Sequence, residues 1–416
     1  VSPAREAAFA VLERVATTQA HSDDLLHGPG MNALTQADKN LATTLVLGVL
    51  RWQIALDARI KPLLKQPELQ MASPVQTALR MGLFQLLHLD RIPAHAALSE
   101  SVELVRAAGH GHASGMVNAI LRKVTRQDVP KQKLFETTAA FAERLAHPAW
   151  LVERWVKNYG RAEAMAICEY GQREPAQGAL FAMDETMPLM DDGSRLVAEL
   201  TAASVVAPKR IWDCCAAPGG KTLVMARRHE GVELLASDAN PKRVKALAER
   251  LRDVAGVRVV EADAVKLAAD EGEFDLILCD VPCSGTGTLG RNPEIKQRLQ
   301  PAELSRQAKR QWEILAAGLG RLAPGGRLVY STCSLEPEEN ERVVEEVLAA
   351  TSGVSEVSLE PILKRLGESG VFADGMDAKG LLRGGRLRTQ PGVGFQGDGF
   401  FATLFVRSYV EESKKL

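Results

Sequence analysis

Near residue 209 the hydrophobic pattern of this chain changes period, and that change limits its fold more than any other feature. Before it, apolar residues recur at helical spacing, as in Phe9, Leu12 and Val15 and again in Leu83, Leu86 and Leu87. Pro74 and Pro93 stand where helices begin, a position that tolerates proline. Residues 1–128 therefore read as all-helical. After residue 209, short apolar runs at 209–215, 232–237, 256–261, 274–280 and 326–333 alternate with helical stretches. Strands buried on both faces read as near-continuous apolar runs. The alternation predicts an α/β domain, a Rossmann-like doubly wound parallel sheet, over 206–416. Residues 129–205 connect the two, punctuated by Pro130, Pro148 and Pro175. Trp150, Trp155 and Tyr159 share a helix there, at a spacing that favours core packing over base stacking. The late run Asp398–Arg407 reads as a strand that hairpins onto the sheet edge.

A chain of 416 residues with ordinary apolar and charged fractions is long enough for two or three domains with large cores. Its net charge of −1 means that any nucleic-acid contact must come from local basic patches. One such patch is Arg122, Lys123 and Arg126, which reads equally well as a solvated helix end. Six cysteines in this length do not make a disulfide framework. Neither the cysteines nor the eight histidines show paired metal-ligand spacing, so no metal is expected. No run approaches the roughly 18 apolar residues of a membrane helix, and no signal-peptide pattern opens the chain. The expectation is a cytoplasmic monomer.

In an open parallel sheet, ligands bind just beyond the carboxyl ends of the strands. Cys283, in Asp280-Val281-Pro282-Cys283-Ser284-Gly285, follows one predicted strand, and Cys333, in Ser331-Thr332-Cys333-Ser334, follows another. Two thiols at two such ends can converge on one substrate. A third strand leads into Cys214-Cys215-Ala216-Ala217-Pro218-Gly219-Gly220-Lys221-Thr222. This is neither a phosphate-binding P-loop, since Cys215 stands where its first glycine belongs, nor a dinucleotide fingerprint. It is a tight Gly-rich turn that lets backbone approach a ligand at a helix start. Asp238, Asp263 and Asp280 each end a successive strand, a pattern suited to a nucleoside cofactor. Each alone also reads as a helix cap. Cys168, Cys214 and Cys279 lie in apolar surroundings and read as small buried hydrophobes.

The segments Ala216–Thr222, Asp280–Gly287, Arg291–Lys296 and Tyr330–Ser334 together resemble the Nol1/Nop2/Sun family of RNA cytosine-5 methyltransferases. His147–Leu151 and Asp191–Ser194 fit the same family. The helical half, from Ile92-Pro93 to Val117–Lys123, is similar to a NusB-type RNA-binding domain, so the likeness spans nearly the whole chain. It implies a class I methyltransferase fold behind a NusB-like domain, with S-adenosylmethionine as cofactor and small-subunit (16S) ribosomal RNA as partner. It also implies cofactor contacts from Cys215, Ala216, Ala217, Pro218, Gly219, Gly220, Lys221, Asp238, Arg243, Asp263 and Asp280.

The chemistry explains why two thiols are wanted. C5 of cytosine is a poor nucleophile, and addition of a thiolate at C6 activates it. The resemblance implies Cys333 as nucleophile, Cys283 in product release and Asp280 in cytosine recognition. The residues alone do not rank the thiols, because DNA cytosine-5 methyltransferases use the Pro-Cys cysteine as nucleophile. Lys221 is a candidate for stabilising the thiolate. Single-stranded or opened RNA is the expected substrate, and the loop of Arg291 and Lys296 reads either as a contact to its phosphate backbone or as a solvated loop.

Two competing readings are an amino-group methyltransferase and an assembly factor with a vestigial site. The first favours an Asn/Asp-Pro-Pro-aromatic loop where this chain has Asp-Val-Pro-Cys, and the intact motifs argue against the second. One departure from the family stands out. Gly178–Asp184 lacks its Arg-Val-Asn motif and reaches Asp191 within a few residues, which predicts a truncated RNA platform.

Overall fold

The computed structural model describes residues 1–68, 70–125, 136–175, 178–267, 269–376 and 378–409. Arg126 and Pro130, singled out above, lie outside them. The chain divides into two compact units, one of Val1–Glu174 with Leu289–Arg298, the other of Pro175–Thr288 with Leu299–Leu416. The boundary falls inside the connecting region 129–205.

The first unit is helical: α1 (Pro3–Thr17), α2 (Ser22–Leu26), α3 (Gln36–Ile60), α4 (Ser73–His88), α5 (Ala94–Ala107), α6 (Ser114–Val124), α7 (Thr138–Arg144), α8 (Ala149–Tyr159) and α9 (Arg161–Gly171). Local chemistry sets several starts. Thr35 caps α3 by accepting from Asp38 N, and Thr137 caps α7 by accepting from Ala140 N. Pro74 lies in the first turn of α4, and Pro93 is the residue just before α5. Leu45, Val49, Leu79, Leu83, Leu104 and Val117 meet in one core. Trp155 is fully buried, as its spacing suggested.

One expectation fails here. Gln36–Leu63 is long and apolar enough to cross a membrane by length and composition alone. Its Leu45, Val46, Val49, Leu56 and Ile60 are buried in the core of the helical unit, which accounts for the apolar length.

The second unit is built on one sheet. In chain order it contains α10 (Asp192–Ser204), β1 (Arg210–Asp213), α11 (Gly220–Arg228), β2 (Glu233–Asp238), α12 (Pro241–Leu251), β3 (Val257–Glu261) and β4 (Phe274–Asp280). After α13 (Ile295–Arg298), which belongs to the first unit, come α14 (Pro301–Gly320), β5 (Leu322–Thr332), α15 (Glu341–Ala350), β6 (Val354–Val357), α16 (Glu360–Glu368), β7 (Leu382–Arg383), β8 (Arg386–Arg388) and β9 (Phe401–Arg407). The order across the sheet is β3-β2-β1-β4-β5-β9-β8-β7, with β6 also paired to β9. The five strands β3 to β5 are parallel, and β9 runs antiparallel to β5. The last strand is therefore not at the edge. It takes β5 on one side and β6 and β8 on the other, because those short, polar strands carry the sheet beyond it.

Alternation on the strands fills two cores. Leu276 and Leu278 of β4 pack with Leu196, Leu200 and Met225 on one face, while Ile277 and Cys279 pack with Ile314, Leu315 and Val344 on the other. The order of strands reverses between β1 and β4. That is the switch point where loops beyond the strand ends leave a crevice.

The segment 178–184 is tied to this unit. Asp192 accepts from Ala179 N at 2.8 Å and Leu180 N at 2.9 Å, and the Arg195 guanidinium lies over the Phe181 ring.

Candidate active site

The loop after β1 is shaped by its glycines. Gly219 adopts a left-handed conformation at φ 95°, and a Cβ there would sit 2.7 Å from Leu247 Cδ1. The positive φ favours glycine, and a side chain there would also have to displace the end of Leu247. Gly220 then opens α11. Ala216 N donates to Ser237 O at 2.8 Å, which fastens this loop to the end of β2.

A cleft of about 340 Å³ opens beside it. Of the residues expected at the cofactor, Cys215, Asp238, Arg243 and Asp263 line this cleft together. Asn240, Pro282 and Arg310 line it too and were not singled out from sequence. Ala216, Ala217 and Gly219 are buried beneath the surface, Pro218 is exposed, and Gly220 and Lys221 are half-buried.

The acids keep local duties as well. Asp238 accepts from Asn240 N at 2.9 Å and faces Arg243 at 3.3 Å, and Arg243 also donates to Ala217 O. Asp263 caps a short turn through Val265 N. Asp263 is thus both a turn cap and part of the cleft lining, whereas the cap of α12 is Asn240 and not Asp238. A hydrogen bond with Cys214, and then burial, push the Cys215 thiol well up.

The thiols meet beyond β4 and β5. Asp280 pairs with Ser331 in register, and Val281 N donates to Ser331 O at 3.0 Å, so the two loops leave the sheet side by side. Cys283 Sγ and Cys333 Sγ are 3.4 Å apart, and both residues are half-buried. The hydrogen bond with Cys333, then burial, push the Cys283 thiol well above its ordinary range. Asp280 uses both oxygens. One accepts from Ser331 Oγ at 2.7 Å, and the other lies 2.8 Å from Lys221 Nζ. Burial opposes the charge on Lys221, yet the Asp280 carboxylate holds its pKa above the ordinary value. Cys168, Cys214 and Cys279 are buried, as expected of small hydrophobes, and burial pushes Cys168 up to about 12. Among the described residues no group of three or more His, Cys, Asp or Glu is placed to hold a metal.

A buried carboxylate not marked in the sequence reading sits behind the thiols. Glu339 is fully buried and accepts from Ser284 N at 2.8 Å, from Ser334 Oγ at 2.5 Å, from Ser284 Oγ and from Gln311 Nε2 at 3.0 Å. The signal was the repeated Cys-Ser pair, since each serine follows one of the two cysteines.

The Arg291–Lys296 loop, expected on RNA, belongs to the helical unit. In the helical unit Arg51 donates to Gly290 O at 3.0 and 2.8 Å, Glu294 accepts from Ser22 N and Oγ at 3.0 Å, and Lys296 donates to Arg51 O at 2.8 Å. Lys296 is only 3% exposed, so it is not a solvent-facing phosphate contact.

Comparison with known proteins bears on this geometry. Residues 203–406 match the model of the 16S rRNA methyltransferase RsmB/F family, and residues 2–126 match the NusB family. A probable ribosomal RNA small subunit methyltransferase B from Bacillus subtilis strain 168 is 30% identical, over 95% of this chain and 97% of its own length. The chain belongs to the RsmB/F family of 16S rRNA methyltransferases. A ribosomal RNA small subunit methyltransferase B from Salmonella arizonae is 31% identical over 78% of this chain and 85% of its own. The crystal structure of PH0851 covers 97% of this chain and 99% of its own, with a TM-score of 0.71 at 20% identity, a likeness of fold. The sheet is thus that of a class I, Rossmann-like methyltransferase, preceded by an all-helical NusB-family region.

Proposed function

We propose that this enzyme methylates C5 of a cytosine in 16S ribosomal RNA, with S-adenosylmethionine as cofactor and a covalent bond from Cys333 to C6. The observation that carries the reading is the 3.4 Å approach of Cys283 and Cys333 beyond two adjacent strands, next to the Lys221–Asp280 pair. The cofactor fits the residues present. The cleft beside the Gly219 turn has a carboxylate, Asp238, at the end of β2, where ribose hydroxyls are held in folds of this kind. Cys215, Arg243 and Asp263 line the remainder, and the backbone from Ala216 to Gly220 closes the turn. When bound there, S-adenosylmethionine supplies an electrophilic methyl group.

The chain's own residues supply the rest. The Cys333 thiolate adds to C6, and the electron pair displaced from the C5–C6 bond makes C5 nucleophilic. Asp280, backed by Lys221 and Ser331, accepts from the amino group of the cytosine and, when it carries a proton, donates it to N3 as charge develops on the ring. After transfer a base takes the C5 proton, the electron pair left behind re-forms the C5–C6 double bond, and the Cys333–C6 bond breaks to return the thiolate; Cys283 serves this release. The target base must leave any stack to reach the thiols. The helical unit contributes RNA binding. The enzyme acts as a cytoplasmic monomer on free or early-assembling ribosomal RNA.

The test is the identity of the methylated nucleoside. Protein-free 16S ribosomal RNA is incubated with the enzyme and methyl-labelled S-adenosylmethionine, then digested to nucleosides. Label in 5-methylcytidine is the expected result. Label in N4-methylcytidine, or none in RNA, would overturn the proposal.

A further inference from the structure

Both thiols precede a serine, and both serines lead to one carboxylate. Ser284 Oγ and Ser334 Oγ are 3.1 Å apart and both donate to Glu339 Oε2. The other oxygen, Oε1, accepts from Ser284 N and Gln311 Nε2. Gln311 also donates to Pro282 O at 3.0 Å, immediately before Cys283. Glu339 is fully buried, and its four donors are neutral groups. A buried carboxylate with no cation is costly unless every lone pair is engaged. Apolar side chains would fill the same space without that cost, so stability alone does not account for it. Further bonds run between the same loops, Leu335 N to Thr286 Oγ1 and Gly287 N to Cys333 O, each 2.9 Å, and Thr286 Oγ1 with Ser334 Oγ at 3.4 Å. Glu339 differs from them in gripping the residue next to each thiol.

We propose that Glu339 is a positioning residue whose carboxylate ties the Cys283 loop to the Cys333 loop and fixes the separation of the two thiols. It touches neither substrate nor cofactor. Its effect on turnover rests on the assignment of Cys333 and Cys283 to attack and release. Its effect on the thiol separation does not. The Glu339 charge is also among the influences that hold the Cys283 thiol up, after the Cys333 hydrogen bond and burial.

The experiment reads both consequences in Glu339→Gln and Ser334→Ala. The second keeps the carboxylate and removes its grip on the Cys333 loop, together with the contacts of Ser334 Oγ to Glu336 N, Ser284 Oγ and Thr286 Oγ1, so it remains informative should the first fail to fold. The first readout is the rate at which diamide converts the two thiols to a disulfide. The thiols lose two electrons and two protons, the azo compound is reduced to its hydrazine, and the product is located by peptide mapping. The second is kcat against KM for 16S ribosomal RNA.

Each variant should slow formation of the Cys283–Cys333 disulfide about tenfold or more. Each should lower kcat by about a hundredfold with KM nearly unchanged, the scale expected of a reacting group displaced by about 1 Å. Reactivity of Cys283 should begin at lower pH in Glu339→Gln, a change that packing alone would not cause. Slower disulfide formation without a fall in kcat would support the positioning role and contradict the assigned roles of the thiols. An unchanged disulfide rate in a folded variant would overturn the inference.

Discussion

Lys221 Nζ stands 2.8 Å from Asp280 Oδ2, so the last residue of β4 is joined to the first turn of α11 beside the paired thiols. The ammonium is largely buried, and an unpaired charge in such a place is costly. Asp280→Asn and Lys221→Met should each lower kcat/KM about 10²–10³-fold, the range seen when one preorganised polar group is lost. The two act as a unit, so the double variant should lose little more than either single one. Losses that multiply would contradict a coupled pair.

Asp213, at the end of β1, is 1% exposed and accepts from Thr222 Oγ1 at 2.7 Å. Burial pushes its carboxyl up to about 7 against the pull of Thr222, and the Asp280 charge adds to the rise. An unfolded Asp titrates near 3.9, so between about pH 4 and about pH 7 the folded chain holds a proton that the unfolded chain has released. This contribution to stability is full below that window, falls as pH rises through it, and is lost above it. Asp213→Asn removes the titration. In chemical denaturation its stability relative to wild type should climb from about pH 5 to about pH 7 and then level off. A difference independent of pH would contradict the assignment.

Lys296 should behave in the opposite sense. Burial brings its pKa down to about 7, with the Cys168 pull upward outweighed and Arg51 lowering it further. A free lysine titrates near 10.4, so from about pH 7 upward the unfolded chain binds more protons and stability rises with pH. Lys296→Met should flatten that rise in unfolding followed by tryptophan fluorescence. It should also leave the salt dependence of RNA binding unchanged, whereas loss of a phosphate contact would reduce the slope by about one.

Lys296 also marks what a sequence conceals. Arg291 and Lys296 read as a phosphate contact or a solvated loop, yet Lys296 is buried, and the neighbouring Arg298 donates to Val15 O and Ala20 O at 2.8 Å. That burial depends on residues some 240 positions away. The strands before Cys283 and Cys333 were legible for the opposite reason, since a strand buried on both faces must be apolar along its length. The start of β5 was missed where Pro324, Gly325 and Gly326 interrupt its apolar run. β7 and β8 are two and three residues long and arginine-rich, so nothing in their pattern marks a strand or predicts that β9 lies inside the sheet. Asp238 was found because it ends β2, and Asp263 because it lies just past the end of β3, which stops at Glu261. Glu339 was not, because in Glu336–Glu339 it is one acid among three and gains meaning only when Ser284 and Ser334 converge on it.

The central claim is that Cys333 attacks the base and Cys283 frees it, and trapping the intermediate tests it most directly. Cys283→Ala and Cys333→Ala proteins are each mixed with S-adenosylmethionine and protein-free 16S ribosomal RNA, then run on a denaturing gel. The account predicts an RNA adduct that survives detergent with Cys283→Ala and none with Cys333→Ala. An adduct formed only by Cys333→Ala, or methyl transfer that persists without Cys333, would contradict it.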